Sequence, residues 1–169
     1  SVLYSCVRGK KTLLYGKPLK ERKPGEQVPL NGLGSAVFSP SGKGALVTSA
    51  VFEDTFSLGY ISLKKPGVML PIKLKNAAHT GVGELENIVH MKDNHYLVTF
   101  NIDGCSWAYE GVFDEAKLLM NLKHVLVGQE PFDGGMLEHM DYDHAEDIFT
   151  FSFSTATSPT QIYSIEGAK

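Results

Sequence analysis

The chain has 169 residues, 43% of them hydrophobic, with a net charge of -3 and a pI near 6.0. That is enough apolar material for one sizeable core, which excludes a disordered chain; the charge balance gives no overall attraction to nucleic acid or an anionic membrane. No apolar run approaches the roughly 18 residues of a membrane helix, and the opening SVLYSCVRGKK has neither the apolar core nor the cleavage site of a secretory leader.

Cys6 and Cys105 are too few for a disulfide framework and are read as free thiols, with a cytoplasmic location expected. Serine rather than methionine at position 1 suggests a processed product, a missing upstream part or an excised fragment.

Taken in chain order, the apolar segments are short, rich in Val, Ile, Thr, Tyr and Phe, and separated by Gly, Pro, Asn and Asp, which predicts many short strands. VLYSCV, TLLYG and QVPL come first, with no leading strand before them. AVF, ALVTSAVF (45–52), LGYISL (58–63) and VMLPIKL (68–74) make a second unit of four. LENIVHM, YLVTFNI, SWAYEGVF and HVLVG make a third, each half-buried by its period of two. The best helix candidate is DEAKLLMNLK (114–123), acidic at its start and ending on lysine as the helix dipole favours. MLEHMDY, IFTFSFS and QIYSI form a fourth unit, after which the chain stops.

Three similar turns punctuate these units: SPSGKG (39–44), KDNH (92–95) and DHAED (143–147), at intervals of about 50 residues, the range of propeller blades. The expectation is an all-β, β-propeller-like single domain of about four four-stranded antiparallel blades, over residues 1–31, 32–76, 82–128 and 134–169. It has about fourteen strands, the first blade lacking an inner strand and the last an outer one. A partial ring leaves two apolar end faces, so self-association is expected, with a twofold pair closing a ring of about eight blades.

The motifs carry a resemblance. SPSGKGALVTSA resembles the blade opening of TolB-like propellers. NIDGCSWAYEGVFD (101–114) resembles the corresponding segment of prolyl oligopeptidase-type propellers, and IFTFSFSTATSPTQIYSIE resembles the last blade of that serine peptidase family, shortly before its α/β-hydrolase domain. The blade pattern covers roughly residues 35–166, and only the final 20 or so are family-specific. No G-x-S-x-G nucleophile elbow occurs, so no catalytic residue is carried over. The resemblance implies a non-catalytic propeller that restricts entry of peptides to a separate hydrolase domain; its partner is that domain or a second copy of itself. The alternative is a stand-alone TolB- or WD-like module that binds a protein or small ligand.

Other chemistry is weaker. His139, Asp141, Asp143, His144, Glu146 and Asp147 crowd one stretch and suggest a zinc- or calcium-dependent site, but strand alternation and a solvated turn spread them over different faces. No cofactor or metal is expected. His90 and His95 flank the preceding turn and read as ordinary blade-edge residues. Cys105 with His95 or His124 is a conceivable thiol and base without fixed geometry. Residues 8–23 hold seven Lys or Arg against one Glu, more consistent with discouraging edge pairing than with binding a phosphate backbone, since Tyr15 is the one aromatic there. Trp107, Tyr109, Phe151, Phe153 and Tyr163 read as core between blades, Pro159 as turn chemistry. The final strand, over 161–165, is expected to have an edge that something covers.

Overall fold

The computed structural model describes residues 1–28 and 31–168. These residues hold fourteen strands and one short 3-10 turn, Leu19–Glu21. The first sheet is the hairpin of β1 (Leu3–Val7) and β2 (Lys10–Tyr15). The second is an antiparallel meander of β3 (Leu33–Phe38), β4 (Gly44–Ser49), β5 (Ser57–Ser62) and β6 (Met69–Pro71). β7 (Lys73–Lys75) belongs to the third sheet, where it lies parallel to the last strand of a second meander, β8 (Gly83–Lys92), β9 (His95–Ile102), β10 (Cys105–Asp114) and β11 (Leu119–Val127). β12 (Gly135–Asp143), β13 (Ile148–Thr155) and β14 (Ser158–Glu166) form the fourth sheet, with β14 at its edge. The protein is therefore all-β with several antiparallel sheets, but these hold two, four, five and three strands rather than the expected three, four, four and three.

The sheets stack in series, and alternation along the strands explains how. Ala45 and Val47 of β4 pack with Leu14 of β2, while Leu46 of the same strand packs with Tyr96 and Val98 of β9. β9 in turn sends Leu97 to the opposite side, against Phe149, Phe151 and Phe153 of β13. Each inner sheet is thus covered on both faces. That is why GALVTS is buried throughout and HYLVTFNI has no exposed residue, whereas the apolar residues of IFTFSFST alternate with polar ones.

A local irregularity recurs with the repeat. The leading strands β3, β8 and β12 each shift register beside Leu33, Leu85 and Leu137, at a constant interval of 52 residues. Such bulges turn a backbone group out of the ladder. Beside two of them that group meets a serine of the preceding sheet: Ile88 N–H donates to Ser35 Oγ (3.2 Å) and Leu137 N–H to Ser106 Oγ (2.9 Å). Turns add further polar ties. Ser41 and Tyr60 hydroxyls donate to Glu115 (2.9 and 2.8 Å), and Lys92 meets Asp147 at 2.8 Å.

Two sequence expectations fail here. Residues 114–123 form no helix; β10 ends at Asp114, a turn follows, and β11 begins at Leu119. Met120 and Leu122 are both fully buried while Leu119 and Asn121 are half-buried, a period of two set by pairing with β10 that overrides the helix-favouring charge order. The expected QVPL strand also fails over Gln27 and Val28, which lie in no strand; Pro29 and Leu30 lie outside the described residues.

Gly128, just past β11, has φ +118, and a Cβ there would overlap the Trp107 ring. Gly128→Ala is expected to cost about 1–3 kcal/mol, from backbone strain and overpacking together, read as a lower urea midpoint with an unchanged slope.

Candidate functional site

β10 is the central strand of the third sheet, and in the middle of its run WAYEGVF stands Glu110, whose side chain is 1% exposed. A carboxylate so placed is tolerated only when its lone pairs are satisfied. Here three elements supply donors. His95, at the start of β9, approaches through Nδ1 at 2.7 Å; His124, on β11, through Nδ1 at 3.0 Å; and the Ala168 backbone N–H, just beyond β14, donates at 2.7 Å. Burial pushes the Glu110 pKa up, but the Ala168 N–H and then His124 and His95 outweigh it and hold the carboxyl below its ordinary value. An ionised carboxylate only accepts, so both imidazoles carry a proton on Nδ1 and leave Nε2 for solvent. The arrangement binds three strands and the end of the chain's last strand to one anion.

A second cluster pins the connection between β7 and β8. The Ala78 and His79 N–H groups both donate to the Tyr109 hydroxyl (3.2 and 3.1 Å), which lies 2.7 Å from His79 Nδ1. With two donors already on that oxygen, its own proton goes to Nδ1, which makes His79 a neutral acceptor. Burial depresses the His79 pKa in agreement, and its ring lies 4.7 Å from Phe100 and 5.7 Å from Trp107.

The acidic and histidine-rich stretch of β12 and the turn after it does not converge. Asp143 accepts from the N–H groups of Ala145 and Glu146 in its own turn, and Asp147 is taken by Lys92 and Tyr142. Among the described residues no group of three His, Cys, Asp or Glu is placed to hold a metal ion. Cys105 pairs with Ile102 at one end of β10 while His95 pairs with Val112 near the other, roughly 20 Å away at strand spacing, so they cannot act as thiol and base. Both cysteines are free.

Other expectations need smaller corrections. His95 does more than flank a turn, since it and His124, the other base considered for Cys105, both hydrogen-bond the buried Glu110; a lone Glu inside an otherwise apolar and aromatic strand was the available signal for it. His90 lies in β8 and reaches the turn that follows it, its Nε2 2.9 Å from the Asp93 carbonyl. Tyr109, Phe151 and Phe153 are buried core, with Trp107 and Tyr163 packed at its margin. Pro159 lies inside β14, not in the turn before it, which an edge strand tolerates because the missing N–H faces no ladder partner. In the basic stretch Lys17 pairs with Glu26 at 2.6 Å, and Lys11 lies 4.0 Å over the Tyr4 ring.

No family model and no curated protein matches the chain. Among solved structures, a candidate conserved lipoprotein from Clostridium novyi NT is similar over 80% of this chain and 88% of its own, with a TM-score of 0.50 and 10% identity. At that identity the likeness concerns the fold alone: a similar arrangement recurs in a chain of unrelated sequence.

Proposed function

We propose that the serial sheets are blades of a partial β-propeller, and that the chain is the non-catalytic propeller portion of a prolyl oligopeptidase-like serine peptidase, gating access of peptides to a separate α/β-hydrolase domain. The observation that carries this reading is the leading-strand bulge repeated at 52-residue intervals. Each one opens a meander that packs on the sheet before it, as blades do. The family-like segments support it by their positions: NIDGCSWAYEGVFD forms the turn and strand of β9 and β10, and IFTFSFSTATSPTQIYSIE forms the β13–β14 hairpin. In this reading the role is exclusion and positioning, with the chemistry elsewhere. A fourth strand supplied by following sequence would pair with the edge at Gln161, Tyr163 and Ile165.

The test is the source reading frame and its product. The frame is expected to continue past Lys169 into a segment with G-x-S-x-G, and the purified product to react with a fluorophosphonate serine probe and cleave short peptides but not folded proteins. A stop codon directly after Lys169 would sink the peptidase reading and leave the stand-alone binding module.

A further inference from the structure

The two ends of the stack carry opposite charge. Residues 1–28 hold seven Lys or Arg, at 8, 10, 11, 17, 20, 22 and 23, against Glu21 and Glu26. Residues 134–168 hold six acidic residues, at 138, 141, 143, 146, 147 and 166, and no Lys or Arg. The net charge of -3 hides this division.

Strand register shows which of these groups face outward. In the first sheet Leu14 points to the second sheet, so Leu13 and Lys11, with their cross-strand partners Tyr4 and Cys6, form the outer face. In the fourth sheet the three phenylalanines of β13 point inward, so Thr150, Ser152 and Ser154 face out with their partners Asp141, His139 and Met136. Glu138 lies over the same face, accepting from the Thr160 and Ser154 hydroxyls at 2.6 and 3.4 Å. Ile162, the partner of Ser152, is 78% exposed there and Met136 is 42% exposed. This end face is therefore not apolar, as the pattern of the sequence suggested, but polar and acidic around two apolar side chains. The face at the other end is the converse: Tyr4 and Leu13 beside Lys11.

We propose that these two faces are the halves of one contact, made head to tail between two copies of this chain, with the Tyr4, Leu13 and Lys11 face of one copy on the Met136, Asp141 and Ile162 face of the other. A pair closed in this way contains the contact twice and leaves neither end open. Opposite potentials orient the encounter, and the central apolar side chains leave water. The proposal rests on the end sheets alone, so its failure would leave the peptidase reading untouched.

The experiment is sedimentation velocity under reducing conditions on the wild-type chain, on Lys11→Glu, on Asp141→Lys and on an equimolar mixture of the two variants. Wild type is expected at twice the 18.5 kDa chain mass at low salt, weakening as ionic strength rises. Each variant alone places like charges together and is expected to dimerise at least about tenfold more weakly. The mixture restores opposite charges at both contacts and is expected to dimerise again, which also shows that the variants fold. Alkylation of Cys6, exposed in the single chain and on the contact face, should slow with protein concentration at low salt. A wild type that stays monomeric at high concentration, a dimer indifferent to the reversals, or variants that the mixture fails to rescue would each overturn the proposal.

Discussion

Glu110→Ala is expected to lower the unfolding free energy by about 3 kcal/mol, because it strips three donors of their common acceptor and leaves a void inside the third sheet. His95 and His124 keep a share of solvent contact, with side chains 26% and 36% exposed, so the cost stays at the lower end for a broken buried ion pair. Glu110→Gln is milder, about 1 kcal/mol: the amide oxygen can serve His124 and Ala168 while the amide nitrogen donates to a re-tautomerised His95. The charge is lost in both variants, which gives a pH signature. Folded Glu110 titrates below its ordinary value of 4.5, so between the two values the unfolded chain binds more protons. Its stabilising contribution is complete above pH 4.5 and is lost as pH falls through the folded value. Urea unfolding from pH 7 down to pH 3 should show this loss in the wild type and lack that component in Glu110→Gln. An equal acid dependence in both would show that the site is not ionised in the folded chain.

Phe151→Ala is expected to cost about 3–5 kcal/mol, the range for truncating a fully packed aromatic. The ring is 2% exposed and meets Phe132 edge to face at 4.9 Å and Tyr163 at 5.8 Å, so its removal opens the layer that fastens the fourth sheet to the third. The loss should be local at first. Amide exchange is expected to rise over β12 to β14 before it rises in β4 and β5, whose core contains no atom of this cluster. Thr150→Ala, one residue away on the opposite face, should stay within about 0.5 kcal/mol. If the two substitutions cost the same, the facing of β13, and with it the outer acidic face, would be wrong.

Most strands were legible in the linear pattern because a strand needs only period-two alternation and a turn residue at each end, both of which are local. IFTFSFS shows its buried and exposed faces residue by residue, and the turns at Gly42 and Asp93 show the left-handed positions that end strands. LLMNLK did not yield to that reasoning. Its charge order and length suit a helix as well as a strand, and only the edge of β10 beside it decides between them. The site was less legible than the fold. Glu110, His95 and His124 are spread over three strands, and Ala168 comes 58 residues after Glu110, so no spacing in the sequence could bring them together.

By itself, then, the sequence determined the all-β class, the approximately 50-residue repeat and the opposite charges of the two ends, since each depends on residue order alone. The tertiary structure decided which faces those charges occupy, that the fourth sheet has a polar outer face, and that a buried carboxylate joins three strands to the end of a fourth. The physical reason is that burial and hydrogen bonding depend on neighbours in space: the serine-rich alternation of β13 names two faces but not which of them meets another sheet.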